Sequence, residues 1–438
     1  MPPAIVDLYP LSSLQKIWVD TSRGARRVEH HKHLGWQYVG RLDLRRLVAA
    51  WQAVTDRHAA LRSSFFWEGV EDPLQVVHDR VEAVVMIHDL RDLVAEQQEA
   101  RLAALLEDDG QRGFELNIPP LNRLLVFKIT DELTRLVWSL EGPAIDSWSQ
   151  PIIIKDLFRL LASDELPASD VLPAPPPYRD FVAWRSLCRF DGAEDLWRRA
   201  LTPFRGITSV CTQPRQPQVP PEHADQVVPV DFATFADLER AAKTHHVTLN
   251  ALVMGAWALV LAQHCRTDFV VFGITLSGRS PAVPGVDQMV GFFMNILPMA
   301  GRVDGSQRFV DFAAGLHDFL QQAHRYEHLP ADLPARWCGS GAGPFLFDSL
   351  FVFENYPVFS PDDALLTGVD LRETQGIVVS SFPLTVIVSK GWEWLQMLYD
   401  VTCIDHQSVL RLLQSLTACL RQVADAPDRP VSELVRGL

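Results

Sequence analysis

The stretch LVWSLEGPAIDSWSQPIIIKDLF, from Leu136 to Phe158, places carboxyl and hydroxyl groups at a sharp turn between a strand-like and a helix-like segment. Such groups can transfer protons or hold a reacting atom, and this kind of turn is typical of catalytic sites. Glu141 and Gly142 stand where a reactive side chain is expected, and glycine offers none. Two hypotheses follow for the turn: a working active site, or the remains of one.

The sequence HHKH at positions 30–33 is a second candidate site, since histidine is a common metal ligand. Neighbouring side chains on a strand point to opposite faces, so at most two of these histidines could converge on one ion. No cysteine or acidic residue lies nearby at the spacing of a zinc site. We therefore expect a polar surface segment here and no metal site.

Motifs for several other chemistries are absent from the sequence. It contains no G-x-G-x-x-G after a strand, no G-x-x-x-x-G-K-[ST] and no G-x-S-x-G. Dinucleotide-binding, P-loop and α/β-hydrolase sites therefore gain no support. The glycine-rich GSGAG at 339–343 follows no predicted strand and precedes no predicted helix, so we expect a flexible loop.

Hydrophobic periodicity predicts the elements that position the turn. A hairpin of strands at 122–130 and 134–140 leads into it, and a helix at 147–161 follows it. Further helices are predicted at 45–58, 233–246, 248–265, 308–324 and 406–423, and further strands at 74–79, 268–275, 345–353, 382–390 and 394–400. Mixed helices and strands in both halves of the chain predict two α/β domains.

The best domain boundary is the Pro-rich SDELPASDVLPAPPPYRD at 163–180. It divides the chain into an N-terminal lobe, 1–172, and a C-terminal lobe, 173–438. A ligand for a proline-binding module is the alternative interpretation of PAPPP, but a stiff connector explains the composition without a partner.

Composition describes a globular chain of 438 residues, of which 47% are hydrophobic and 21% charged. The net charge of -14 argues against a nucleic-acid or anionic-membrane surface. No signal peptide is visible, and the apolar segment 249–265 is too short to span a bilayer, so we expect a buried core helix. Six scattered cysteines without a C-x-x-C pair predict reduced, buried thiols in a cytoplasmic monomer. Met1 and the final helix suggest a free-standing protein or a domain excised near its natural edges.

Seven segments, in order along the chain, resemble the sequence motifs of the condensation domains of nonribosomal peptide synthetases. The turn is the third of them. The other six are YPLSSLQKIW (9–18), RHAALRSSF (57–65), YRDFVAW (178–184), VGFFMNILPMAGRV (290–303), YEHLP (326–330) and FDSLFVFENYP (347–357). Any one segment alone would be a weak signal, whereas seven in the family's order over nearly the whole chain favour this fold.

The resemblance implies an α/β fold of two lobes of the chloramphenicol-acetyltransferase kind, which form a V-shaped pseudo-dimer with a central tunnel. Peptidyl or acyl carrier proteins deliver phosphopantetheine thioesters to it, and the domain itself binds no cofactor. The family motif HHxxxDG lies near the tunnel's midpoint. Here it reads EGPAIDS: Glu141 and Gly142 replace the histidines, Asp146 keeps the aspartate, and Ser147 replaces the last glycine.

Loss of both histidines removes the family's usual base. The second histidine is placed to hydrogen-bond or deprotonate the attacking amine, and such a group contributes about 10²–10⁴-fold to a rate. Glu141 is expected to turn into the N-terminal lobe, where a buried carboxylate needs a partner or a raised pKa; a catalytic Glu141 is the alternative. Asp146 is expected to be structural and to form an ion pair with Arg62 of the second motif.

Further residues are expected to line the tunnel by their position in the resemblance. They are Ser147, Trp148, Arg279, Asn295, Ser380 and Ser381. Two functional hypotheses remain. One is a non-catalytic module that binds carrier proteins or recruits a tailoring enzyme in antibiotic or other nonribosomal peptide biosynthesis. The other is an acyltransferase that joins a carrier-bound thioester to an amine or hydroxyl by proximity or with an altered base.

Overall fold

The structure is a computed structural model that describes residues 3–22, 31–163, 172–204, 206–213, 222–230, 232–339, 344–354, 369–370, 381–389 and 394–436. It divides into two compact units. Unit 1 comprises Met1–Cys188, Arg279–Phe293 and Tyr356–Val379, and unit 2 comprises Arg189–Gly278, Met294–Asn355 and Ser380–Leu438. Each unit is therefore built from three segments that are separated in the sequence. The predicted lobes 1–172 and 173–438 stay a prediction.

A side chain caps the start of some of the α-helices of the described residues. Asp43 accepts hydrogen bonds from the backbone of Arg45 and Arg46, and Thr248 accepts one from Ala251. The helices are α1 Ser13–Ser22, α2 Leu44–Arg57, α3 Ala95–Arg112, α4 Ser149–Ala162, α5 Tyr178–Ser186, α6 Ala193–Leu201, α7 Phe232–Thr244, α8 Leu249–Cys265, α9 Phe309–His324, α10 Leu333–Trp337, α11 His406–Asp425 and α12 Val431–Arg436.

The strands of the described residues are rich in β-branched and aromatic residues, which pack well on a pleated surface. They are β1 Ile5–Pro10, β2 His31–Val39, β3 Ser63–Phe66, β4 Leu74–His78, β5 Val85–Asp89, β6 Asn122–Lys128, β7 Leu133–Glu141, β8 His223–Pro229, β9 Phe269–Leu276, β10 Asn295–Arg302, β11 Ser349–Glu354, β12 Val369–Asp370, β13 Leu384–Ser389 and β14 Trp394–Asp400. Every helix and strand predicted above is present, with ends shifted by a few residues. The GSGAG segment lies outside the described residues apart from Gly339.

Unit 1 contains a five-stranded sheet in the order β12-β2-β7-β6-β5. Strands β5 and β6 are parallel, and the other pairs are antiparallel. In the register of β2 and β7, His31 is opposite Glu141 and His33 is opposite Ser139. Directly opposed residues lie on the same face of a sheet, so these four side chains share one face.

Helices cover both faces of this sheet. Leucines of α3 pack on the face that carries Phe127 and Val137. On the opposite face, the ring of Trp138 meets that of Trp51 from α2 edge-on, with centroids 5.6 Å apart. Side chains alternate along a strand. Glu141 therefore lies on the α3 side, as Val137 does, although the turn that follows it connects to α4.

A second part of unit 1 joins the sheet β1-β4-β3 to segments that are distant in sequence. Tyr178 donates a hydrogen bond from its hydroxyl to the carbonyl of Phe292 at 2.7 Å, and its ring meets that of Phe293 edge-on. A Cβ atom at Gly291 would come within 2.3 Å of the Tyr178 ring. Glycine at 291 thus permits the close packing that ties α5 to the 279–293 segment.

Unit 2 is built on a six-stranded sheet in the order β10-β9-β11-β13-β14-β8. Helix α8 is apolar on all sides because residues 251–262 are all buried, which confirms the predicted core helix. No single helix of the described residues has both the length and the apolarity needed to cross a membrane. The pair Ala233–Thr244 and Leu249–Cys265, bent by 107°, meets both criteria only when taken together.

The six cysteines all fall within described residues and are free thiols. Cys403 and Cys419 are buried, as predicted, and burial raises the pKa of Cys419 to about 12. Cys338 is exposed, so the expectation of buried thiols is wrong at this position.

Candidate functional site

The EGPAIDS turn follows β7 directly and is buried throughout its first six residues. Gly142–Ala144 form one 3-10 turn with Pro143 near its start, where a missing N–H leaves no bond unmade. Gln15 of α1 donates a hydrogen bond to the Pro143 carbonyl at 2.9 Å. The turn is thus held from both sides, by its own sheet and by the first helix.

Asp146 organises the backbone after the turn. Its Oδ1 atom accepts hydrogen bonds from the Ser149 backbone N–H at 2.9 Å and from the Ser149 hydroxyl at 2.6 Å. Its Oδ2 atom accepts one from the Phe293 N–H at 3.3 Å. One carboxylate therefore fixes the start of α4 and the 291–293 segment at the same time.

Arg279 completes this arrangement as the ion-pair partner of Asp146. Its Nη2 atom lies 3.0 Å from Asp146 Oδ1 and 3.3 Å from Oδ2, and both side chains are 3% exposed. The guanidinium also donates to the carbonyls of Val286 and Met289, and it lies 3.9 Å from the ring centroid of Phe293. A buried pair with this many hydrogen bonds is a structural clamp, because removing one partner leaves an uncompensated charge.

The predicted ion pair between Arg62 and Asp146 is therefore wrong. Arg62 ends a 3-10 turn before β3, and its Nη1 atom donates to the carbonyls of His78 and Asp79 at the end of β4. Those contacts point its guanidinium away from the motif. Arg279, predicted to lie in the tunnel, takes the role that we had assigned to Arg62.

Glu141 is 1% exposed, and neither of its carboxyl oxygens has a hydrogen-bond partner among the described residues. Burial raises the pKa of Glu141 to about 8, and the charges of Lys32 and Arg123 offset only part of this effect. At neutral pH the side chain is therefore mostly a neutral acid. In its neutral form the carboxyl group cannot act as a base, and its 1% exposure on the α3 side of the sheet keeps it from a substrate amine.

The other predicted tunnel residues occupy varied positions. Ser147 and Trp148 are partly buried, and the Trp148 indole donates to the Asp287 carbonyl at 3.2 Å. Asn295 is buried in unit 2 and donates to the carbonyls of Glu327 and Leu329 at 2.8 and 2.7 Å, so its amide supports the chain. Ser381 is partly buried, and Ser380 lies outside the described residues.

The HHKH segment is not a surface segment where the structure describes it, and that prediction is wrong. His31 and His33 are 2% and 0% exposed, and their Nε2 atoms lie 3.1 Å apart. Asp109 of α3 joins them, with its Oδ2 atom 2.8 Å from His33 Nε2. Sequence reasoning missed Asp109 because this residue lies on a helix, 76 residues after His33. Asp109 is buried while its charged neighbours on the helix are exposed, which departs from the polar pattern of that helix face.

Asp109 is ionised within this cluster. Burial alone would raise the pKa of Asp109, but its contacts with His31 and His33 and the hydrogen bonds from Arg123 and Ser139 outweigh burial and hold the pKa well below its usual range. Burial lowers the pKa of His31, and the nearby carboxylate only partly opposes this effect.

The comparison with known protein families decides the chain's membership. A family model described as "Condensation domain" matches residues 5–436. The chain belongs to the condensation-domain family. Linear gramicidin synthase subunits B and C of Brevibacillus parabrevis are 33% and 32% identical to it over 98% of its length. Chondramide synthase cmdD of Chondromyces crocatus is 33% identical over 90% of the chain.

This condensation domain spans a tenth or less of those relatives: 8% and 6% of the two gramicidin synthase subunits and 10% of the chondramide synthase. Similar solved structures include the EpoB cyclization-docking bidomain from Sorangium cellulosum, with a TM-score of 0.80 and 21% identity over 98% of this chain and 88% of that one. The X-domain from teicoplanin biosynthesis has a TM-score of 0.78 and 19% identity over 97% of this chain and 96% of that one. These likenesses confirm the predicted α/β fold.

Proposed function

We propose that this condensation domain does not run the histidine-dependent condensation of its family and serves as a binding module in nonribosomal peptide assembly. Its partners are carrier proteins bearing phosphopantetheine arms, or a tailoring enzyme. The observation that carries the proposal is the motif turn itself: the clamp of Asp146 and Arg279 is intact, while Gly142 stands at the position of the base.

The chemistry of the turn supports this proposal. Condensation needs a group that accepts a proton as the amine attacks a thioester. Gly142 has no side chain, and the carboxyl group of Glu141 is neutral and buried on the α3 side. Asp146 and Ser149 are polar, but both are engaged in the clamp. Among the described residues of the turn, no side chain is left to act as a base.

A binding role has a structural parallel among the similar folds. One of them is the X-domain of teicoplanin biosynthesis in complex with OxyB, at a TM-score of 0.76 and 18% identity. The parallel concerns the fold alone, and the partner of this chain is a proposal. We expect the domain to act as a cytoplasmic monomer within or beside a larger assembly, since its relatives are much longer than the chain.

The test separates transfer from binding. Carrier proteins from the neighbouring modules are loaded with aminoacyl groups, and intact-protein mass spectrometry follows any dipeptidyl product. Calorimetry measures binding of the same carriers and of candidate tailoring enzymes. We expect binding of at least one partner without transfer above background. A condensation domain with an intact HHxxxDG motif is the positive control for transfer.

Robust transfer by the wild type would overturn the proposal. Two variants then separate the mechanisms. Transfer that survives Glu141→Gln would point to catalysis by proximity and backbone groups. Transfer that Glu141→Gln abolishes, while the protein stays folded, would make Glu141 the base of an acyltransferase.

A further inference from the structure

Three side chains of unit 1 bring metal-binding atoms together in a fully buried place. They are His31 and His33 of β2 and Asp109 of α3, exposed by 2%, 0% and 3%. Their ligand atoms all lie within 4.8 Å of one another. The separations are 3.1 Å between the two Nε2 atoms, 2.8 Å from His33 Nε2 to Asp109 Oδ2, and 3.3 Å from His31 Nε2 to the same oxygen.

The two longer separations, 3.1 and 3.3 Å, are close to the edge of a tetrahedral zinc site, and the third, 2.8 Å, is about half an ångström shorter. Nitrogen and oxygen ligands lie about 2.0–2.1 Å from Zn²⁺, so two ligands of a tetrahedral ion stand about 3.3 Å apart. Ser139 supplies a fourth oxygen, 2.6 Å from Asp109 Oδ2 and 3.3 Å from His31 Nε2. Two imidazoles with one carboxylate are a common zinc ligand set.

We propose that His31, His33 and Asp109 bind one divalent transition-metal ion of the zinc class, which fastens helix α3 to strand β2.

Hydrogen bonding alone does not satisfy this triangle of atoms. If His33 Nε2–H donates to Asp109, that proton is not directed at His31, whose Nε2 atom still lies 3.1 Å away. If His31 Nε2–H donates to His33 instead, His33 faces the carboxylate with a lone pair at 2.8 Å. If both Nε2–H groups donate instead, His33 to Asp109 and His31 to Asp109 or Ser139, the two N–H groups lie 3.1 Å from each other. In each arrangement one short contact therefore joins two groups of like character. A metal ion accepts all three lone pairs at once.

The surroundings orient the ligands. Arg123 donates to the other oxygen of Asp109, Oδ1, and also to the Asp109 and Gly113 carbonyls. These bonds leave Oδ2 turned toward the histidines. A hydrogen-bonded carboxylate is the usual outer support of a metal ligand. Neither His Nδ1 atom has a partner among the described residues, so the polar contacts of both rings are made through Nε2.

The metal site would also change the surroundings of Glu141. Glu141 is opposite His31 in the sheet and carries an unpartnered carboxyl group on the same face. It is not one of the three residues whose ligand atoms lie within 4.8 Å of one another. A divalent ion beside it would add to the positive charge that Lys32 and Arg123 already bring near this buried acid.

The first measurement uses the untagged wild-type chain. It is loaded with Zn²⁺, desalted, and analysed for metal content, and a parallel sample is titrated with Co²⁺. We expect one Zn²⁺ per chain, and the strong visible absorption of four-coordinate Co²⁺ that Zn²⁺ then displaces. Loss of all Zn²⁺ on desalting, together with a weak Co²⁺ spectrum typical of six water ligands, would overturn the proposal without any variant.

Matched variants locate the site. His33→Gln and Asp109→Asn should weaken Zn²⁺ binding by more than about 100-fold, and Ser139→Ala by about tenfold. Lys32→Gln and Asp108→Asn change the neighbouring residues on the same elements and should bind Zn²⁺ as the wild type does. Equal Zn²⁺ affinity in all five variants would place the bound metal elsewhere and refute the assignment.

Discussion

The Glu141→Gln substitution tests directly whether the first motif position is a buried neutral acid. The change keeps the shape of the side chain and removes its ionisable group. Burial raises the pKa of Glu141 to about 8, from an ordinary value of 4.5 that the unfolded chain regains. Between these two pH values the unfolded chain releases the proton and the folded chain keeps it. Wild-type stability therefore falls as the pH rises through this window.

The magnitude follows from the size of the window. Each pH unit above 4.5 costs the folded state about 1.4 kcal/mol, until the carboxyl group ionises in the folded chain near pH 8. The cost reaches about 3 kcal/mol at pH 7 and about 5 kcal/mol at pH 8. Glutamine carries no such cost. We expect Glu141→Gln to match the wild type near pH 4.5 and to melt roughly 6–12 °C higher at pH 7.

Calorimetric melting curves at pH 5, 6, 7 and 8, with a chelator present, measure this difference without metal effects. Glu327→Gln in unit 2 is a control of opposite sign. Burial would raise the pKa of Glu327, but the nearby side chains of His324 and His328, at 3.9 and 3.4 Å, outweigh burial and lower the pKa to about 2. Removing that carboxylate should lower stability at pH 7. A Glu141→Gln variant that tracks the wild type at every pH would show that the carboxylate is ionised and paired, contrary to our reasoning.

Three further predictions concern the motif and its partners. Asp146→Ala should destabilise unit 1 by about 3–5 kcal/mol because it leaves the buried charge of Arg279 without a partner, whereas Arg62→Ala should leave that ion pair intact. Chemical denaturation measures the free energy of unfolding of both variants. Equal losses of stability would contradict the assignment of Arg279 as the partner. Gly142→His should fail to restore dipeptide formation in the mass-spectrometric assay, since Glu141 stays beside it and Pro143 restricts the backbone; a product yield near that of an intact condensation domain would disprove this. Carrier-protein binding should weaken from low to high salt if Lys and Arg side chains of this domain contact an acidic carrier surface. Calorimetry at two ionic strengths measures the affinity, and an affinity that does not change with salt would argue against such a contact.

The sequence was sufficient for the elements and for the place of the turn, because both depend on local pattern. The apolar run at 249–265 predicts a buried core helix, and the structure buries it. The hairpin before Glu141 and the helix after Asp146 follow from periods of two and 3.6 residues, which any short window reveals. The replacement of both motif histidines by Glu141 and Gly142 comes from comparison with the family motif and stays a prediction.

Pairing over long distances could not be predicted in the same way. The family motif pointed to Arg62 as the partner of Asp146, and only the fold decides that Arg279 reaches Asp146 across 133 residues while Arg62 donates to carbonyls at the end of β4. The prediction of a surface segment at the histidines was wrong for a related reason. Alternation correctly allowed His31 and His33 to share a face, but whether that face meets water or α3 depends on tertiary packing.

Positions 141 and 142, which align with the two motif histidines, lie in different environments, and this distinction bears on the proposed loss of the base. Glu141 closes β7 on the face that α3 covers, opposite His31. Gly142 begins the turn and interrupts that alternation. A change at 141 therefore alters the interior of unit 1, whereas a change at 142 removes the group that the family aims at its substrate. The clamp of Asp146 with Arg279 depends on neither position, since its bonds run to Ser149, the 286–289 carbonyls and Phe293. The clamp can therefore stay intact where a base at 142 is absent, which the proposed binding role requires.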